Sequence, residues 1–218
     1  VAQNLVEHDY TIRNKTFEGT VEVDRDDVED DSLHSYTHDE IPQLGAAVAK
    51  HPDQLLYELL TMNSSLGPDT WDGERLFSDS HPTYAPAGFT QTYDNKLALA
   101  LDIDNYNTAR VTMRGYLGED GLVLGVKPKL LIVPPSLEKK ALEITKAQQI
   151  VTPVLNVAGT ERVAAGMIDN VLVGSADVLV IDELESDPTR WYLADVSRPL
   201  KPFVFQMRRE AAFVSKDS

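Results

Sequence analysis

Cysteine is absent from this 218-residue chain. That excludes disulfide staples, thiol catalysis and cysteine-rich zinc sites together. Basic side chains are scarce beside acidic ones: 20 Lys and Arg stand against 35 Asp and Glu, for a net charge of −15. A protein that grips nucleic acid by its phosphates needs a basic surface, so specific nucleic-acid binding is not expected. Long apolar runs are missing as well. Stretches such as Val178-Leu179-Val180-Ile181 are far too short to cross a bilayer, and no membrane partner is expected. No basic leader precedes an apolar run, which leaves the cytoplasm as the expected place of synthesis. The first residue is Val, and the chain is read as a fragment whose start has been lost. Composition leaves two readings of the charge open: an ordinary soluble acidic domain, or a wall that contains DNA without sticking to it.

What is present is ordinary in bulk. Apolar residues make up 42% of the chain, enough for one domain of unusual shape or two small ones. The first thirty residues read as an extended hairpin. Tyr10 and Ile12 lie on one parity, Asn14-Lys15 supplies a turn, and Phe17, Val21 and Val23 continue on the other. No third strand is evident nearby, and a lone two-stranded ribbon is marginal in water, so support from another subunit is expected. The acidic run from Asp24 to Asp31 is read as a solvated loop and helix start, with Asp31 or Ser32 as N-cap. From residue 33 to residue 62 the apolar positions Leu33, Thr37, Ile41, Leu44, Val48, Leu55, Leu59 and Met62 keep helical phase. Pro42 and Pro52 interrupt the run without breaking its phase, which predicts one long kinked helix of about 45 Å over a sheet containing a 203–205 strand. A long loop rich in turn formers covers 64–93, pinned by Trp71, Leu76 and Phe77. After it the pattern becomes α/β. Helices are expected near 96–101 and 105–114, a strand at 129–133, and a helix opened by Pro134-Pro135-Ser136 through about Ala147. Strands follow at 167–173, 178–181, 191–193 and 203–205.

Chemistry-bearing motifs are few. Val173-Gly174-Ser175-Ala176-Asp177 lacks the second Gly of a nucleophile elbow and lies between two expected strands. No phosphate-binding Gly-x-Gly-x-x-Gly or Walker-type loop occurs. Asp24 opens a run resembling a calcium loop, but Glu29 stands where such a loop needs Gly, and Ser35 where it needs a bidentate carboxylate. His34 and His38 lie four apart on one helical face, with Asp39 or Glu40 as a further ligand candidate. Ser35, however, replaces the Glu of helical zinc proteases, which favours surface histidines. His81, beside Asp79 and Ser80, is the most enzyme-like loop residue. Triads are assembled in space, and local clusters of this kind usually stabilise turns. No catalytic, cofactor or metal site is expected.

Taken in order, five segments resemble the major head subunit family of Mu-like phages and prophages. The first runs from His8-Asp9-Tyr10 through Phe17-Glu18-Gly19 to Val21-Glu22-Val23, and on into the acidic run. The second is Ala49-Lys50-His51-Pro52-Asp53-Gln54-Leu55, and the third Leu76-Phe77-Ser78-Asp79-Ser80-His81-Pro82. The fourth is Leu124-Gly125-Val126-Lys127-Pro128, continuing through Leu131-Ile132-Val133 to Leu137-Glu138. The last joins Trp191-Tyr192-Leu193-Ala194-Asp195 to Arg198-Pro199-Leu200-Lys201-Pro202-Phe203 and ends near Phe213-Val214-Ser215. The order of the match over nearly the whole chain makes it more specific than any single motif.

The resemblance implies an α+β chain with the Hong Kong 97-type phage capsid fold. Residues 1–32 would be the extended hairpin loop, 33–105 and 186–218 the peripheral domain with its long spine helix and sheet, and 106–185 the axial α/β domain. It also implies a non-enzymatic shell protein of the virion, made in the host bacterial cytoplasm. Expected partners are copies of itself in hexamers and pentamers, with scaffold and portal proteins during assembly. Family members carry an N-terminal arm ahead of the first matching segment, so this chain alone is expected to remain monomeric. Two other readings stand beside this one: another phage morphogenesis component, such as a tail or decoration protein, and an acidic α/β hydrolase using His81 or the His34/His38 pair.

Overall fold

The computed structural model describes residues 15–22, 25–29, 40–61, 70, 72–82, 92–118, 121–155, 162–199 and 201–214. The chain separates into two compact units, one within Asn63–Pro202 and the other formed by His8–Met62 with Phe203–Ser218. The expected helix from 33 to 39, the first hairpin strand and Trp71 lie outside the described residues.

The smaller unit contains α1 (Arg25–Glu29) and α2 (Ile41–Thr61). Helix α1 is one exposed turn, with Arg25 paired to Glu29 at 3.2 Å. Helix α2 runs unbroken through Pro52, as the shared phase on both sides of that residue requires. Pro42 is its second residue, where the backbone N–H would lack a partner in any case. At 1.5 Å per residue its 21 residues span about 32 Å. Only Leu60 is fully buried; Leu44, Leu55 and Leu59 are half-buried, and Ile41 and Val48 are exposed. Residues 15–22 are not a strand. Instead, Phe17 sets its ring edge against His51 at 4.3 Å, and Gly19 comes so close to Leu44 that a Cβ there would lie 2.9 Å from its Cδ1. The strand expected at 203–205 is not formed: 203–207 has no regular secondary structure and no sheet partner among the described residues, and Val204 and Phe205 are mostly exposed.

In the larger unit the core forms around a three-stranded sheet. Strand β3 (Leu130–Val133) is central, parallel to β6 (Asp177–Val180) on one side and antiparallel to β7 (Tyr192–Ala194) on the other. Its Leu-Leu-Ile-Val run suits a position covered on both edges, and three of its four residues are buried. Pro135 opens α4 (Pro135–Thr145), where its fixed φ is pre-organised for a first helical turn. Ala141 and Ile144 of α4 join Leu131, Val133, Leu101, Tyr106, Leu172 and Ala176 in one apolar cluster.

Helix α3 (Ile103–Arg114) is the helix expected at 105–114, begun two residues earlier, whereas the helix expected at 96–101 does not form. The Asp102 side chain accepts from the Asn105 N–H and fixes the start there. Ahead of it, residues 94–100 form no regular element; Leu101 is buried, and the Leu99 carbonyl accepts from the Trp191 indole at 2.8 Å. The expected 167–173 strand is displaced. A hairpin of β4 (Gln149–Leu155) and β5 (Arg162–Asp169) ends at Asp169, and 171–174 is a turn. In that turn Leu172 points into the core while Val171 is 92% exposed. Residues 182–186 form a 3₁₀ turn ahead of the Asp187-Pro188 bend. The long loop holds a small pairing of β1 (His81–Pro82) with β2 (Thr92–Tyr93).

Candidate functional site

The His81 loop tests the enzymatic reading. Pairing of β1 with β2 brings His81 back to Asp72, and its Nδ1 lies 2.7 Å from Asp72 Oδ2. Asp72 is nearly inaccessible, its side chain 4% exposed. Its Oδ1 also accepts from the Glu74 N–H at 3.0 Å and from the Thr70 hydroxyl. Burial pushes the Asp72 carboxyl up, but the hydrogen bonds from Thr70, His81 and Glu74 outweigh it and hold the group below its ordinary value. A carboxylate orienting an imidazole is half of a catalytic triad. The nearby hydroxyls turn elsewhere: Ser78 Oγ donates to Glu74 Oε2 at 3.2 Å and pairs with Ser80 Oγ, also at 3.2 Å. His81 Nε2 is buried without a hydrogen-bond partner. The geometry therefore makes Asp72–His81 a clasp for the loop. Asn95 closes its other end, accepting from the Ser78 N–H and donating to the Leu76 carbonyl.

His34, His38 and Asp39 lie outside the described residues, as does Asp24; Glu40 is exposed at the entry to α2. Among the described residues no three His, Asp or Glu side chains form a metal-binding group.

Two polar hubs went unread in the sequence because their partners are remote. Asp195 accepts from the Lys127 N–H at 2.8 Å and from the Ser197 N–H and hydroxyl at 2.8 and 2.6 Å. Burial again pushes its carboxyl up, and those bonds, with Arg198 nearby, bring it below the ordinary range. Arg198 also donates to the Leu124 carbonyl. The motifs beginning at Leu124 and at Trp191 are thus one structural joint. Asn170, the second hub, caps the end of α4 by donating to the Ile144 and Ala147 carbonyls, both at 2.9 Å.

Surface apolar groups form the other notable feature. Leu122, Val123 and Leu124 are consecutive and 67, 63 and 43% exposed, and Phe213-Val214 in the smaller unit are 71 and 85% exposed. Scattered apolar residues are normal on surfaces, but contiguous ones mark contact sites.

A family profile described as the Mu-like prophage major head subunit gpT matches residues 1–100, 87–164 and 170–218. The chain belongs to this family. Over 82 residues it is 40% identical to the major capsid protein of Escherichia phage Mu, covering 38% of this chain and 26% of that protein. Over 78 residues it is 35% identical to the Mu-like prophage FluMu major head subunit of Haemophilus influenzae, covering 36% of this chain and 24% of that protein. Each match spans about a quarter of the relative's length. Among solved structures, a chain from the capsid of bacteriophage JBD30 decorated with minor capsid protein trimers superposes with a TM-score of 0.54 and 22% identity. That superposition covers 77% of this gpT-family chain and 73% of the JBD30 chain. A second JBD30 capsid structure gives 0.56 at 20% identity. The gpT-family chain therefore shares the fold of a phage-capsid chain.

Proposed function

We propose that this chain is the body of a major head subunit that assembles with copies of itself into the icosahedral shell around a phage genome. The observation that carries the reading is the family match along nearly the whole sequence. The capsid-like fold supports it. In finer terms the fold is of the Hong Kong 97 type, with α2 as the spine helix. Residues 1–32 form the extended loop, the unit holding α2 and 203–218 corresponds to the peripheral domain, and the unit built on the β6-β3-β7 sheet, which draws β7 from beyond residue 185, to the axial domain. Hexamers and pentamers are the assembly units, with scaffold and portal proteins as transient partners and the virion as destination after synthesis in the host cytoplasm. The role calls for neither catalysis nor specific DNA binding, in keeping with a net charge of −15 that repels phosphate.

Electron microscopy of the full-length protein, expressed with its neighbouring phage genes, tests this. Closed shells are expected. Tubes would point to a tail component, and absence of any particle would overturn the reading.

A further inference from the structure

The larger unit carries a rigid apolar knob and an open groove with an apolar floor, and neither covers the other. The knob is the turn at 117–124. Leu117 bridges Val123 across it, Gly118 donates to the Leu122 carbonyl at 2.7 Å, and Leu124 donates to the Tyr116 carbonyl at 2.8 Å. Two tyrosines lock the turn to the loop that Asn95 closes. The Tyr116 hydroxyl donates to the Asp94 carbonyl at 2.7 Å. The Tyr93 hydroxyl accepts from the Leu117 N–H at 3.0 Å and donates to the Leu117 carbonyl. Arg198 holds the other end through the Leu124 carbonyl. A fixed backbone thus presents Leu122, Val123 and Leu124 to water, 67, 63 and 43% exposed. A surface ordered in advance loses little freedom on binding.

The groove runs along the outer side of α4. Glu138, Lys139, Leu142, Glu143 and Ala147 line an open hollow of about 450 Å³. Its floor is Ala147 and Leu142, the latter 40% exposed. Helix α4 is itself immobilised. Ala141 and Ile144 lie in the core, and Ser136 bonds to the Glu185 carboxylate and the Pro188 carbonyl. Knob and groove are therefore anchored separately, and in the folded chain each keeps its apolar groups in water. They can meet only between copies.

We infer that the 117–124 knob of one copy seats in the α4 groove of a second copy. The inference deepens, and rests on, the shell-building reading above. Charge selects the pairing. Copies of a chain with net charge −15 repel over most of their surface. The groove is a neutral island, since Lys139, Lys140 and Lys146 match Glu138, Glu143 and Asp177 one for one. Lys139 approaches Glu143, and Lys146 approaches Asp177, only to 3.8 Å, and the two lysine side chains are 88 and 55% exposed. Both ammonium groups can therefore take a further carboxylate. The knob supplies two, because Glu119 and Asp120 directly precede Gly121 and the apolar run. Complementary charge steers the knob to the groove, and the apolar groups then leave water together. Knob and groove are different surfaces, so the contact is heterologous and passes from copy to copy around a ring.

The absence of cysteine makes the test clean. Full-length V123C and L142C proteins are assembled together and treated with a short bis-maleimide. A cross-linked dimer is expected from the mixture and from neither variant alone; no dimer overturns the inference. The double variant V123C/L142C should give a ladder of multimers. A monomer closed by an internal cross-link would mean that the knob reaches its own groove, and would overturn it too. So would a V123C product joined to another head protein in place of this chain. K139E/K140E should reduce cross-linking several-fold, and E119K/D120K on the partner should restore it; failure to restore overturns the pairing of these charges. Normal shells without the cross-link would sink the contact and leave the shell reading standing. Unmodified protein that forms no shell would sink both.

Discussion

The side-chain amide of Asn170 donates to the carbonyl oxygen of Ile144 at 2.9 Å, joining residues 26 positions apart. Its Oδ1 meanwhile accepts from the Leu172 N–H at 2.9 Å, so one side chain closes α4 and orders the turn that follows the hairpin. Substitution N170A strands several backbone groups at a site only 7% exposed. A loss of about 2–3 kcal/mol is expected, since each buried group left unpaired costs its desolvation. Urea unfolding of the variant beside the parent measures it; a change under half a kcal/mol would show that water replaces the amide.

Tyr106 offers a finer measurement. It is fully buried, and its hydroxyl pairs with Ser175 Oγ at 2.9 Å. Removing only the hydroxyl with Y106F should cost about 0.5–1.5 kcal/mol. Emptying the site with Y106A should cost about 3–5 kcal/mol, because a cavity opens beneath α4 and β3. Equal losses from the two variants would place the ring outside the core.

Acid should weaken the larger unit through Asp72 and Asp195. Both carboxyls are held below their ordinary value of 3.8 in the folded chain. A depressed folded value means that the ionised group stabilises the fold above the unfolded value, and that this contribution disappears as pH falls through the folded one. The stability gap between the parent and D72N or D195N should therefore be full near neutral pH and shrink below about pH 4. Denaturant unfolding at a series of pH values tests the sign. A gap that widens in acid would contradict it.

The acidic run ahead of α2 should matter to assembly more than to folding. Reversing charge at Asp26, Asp27 and Asp30 in the full-length protein should leave Tm within a few degrees, as surface changes usually do. Electron microscopy should show fewer or aberrant shells. Normal shells in normal yield would make the run a solvated face, and a collapsed Tm would give it a place in the core.

Legibility followed the locality of the signal. Helix α2 was readable because its apolar phase survives Pro52, and β3 with α4 because an apolar run meets a proline pair. The β4–β5 hairpin was not readable: Pro153 sits in the middle of its first strand, a position that argues against a central strand. It is tolerated because each strand of a two-stranded sheet keeps one open edge. The 96–101 stretch was misread as helix although its leucines alternate with a period of two. The expected 203–205 strand failed for the opposite reason, since its propensity is strong but its described surroundings supply no edge. Of the loop clasp, only His81 stood out beforehand; Asp72 lies nine residues away, and no local pattern marks a carboxylate that folding will bury.

Strand β3 takes its two neighbours from much later in the chain, β6 on one side and β7 on the other. During synthesis, its Leu-Leu-Ile-Val run therefore leaves the ribosome with both edges bare. The second edge closes only after Ala194 emerges, roughly 60 residues and several seconds later at ~5–20 residues per second. In that interval the nascent chain carries a sticky strand and cannot complete its own sheet. A protein produced in many copies at once would bring such strands together on neighbouring ribosomes. Its yield in a cell should thus be set by how quickly chaperones shield this stretch, with pulse-labelled chains aggregating when synthesis is halted between Val133 and Ala194.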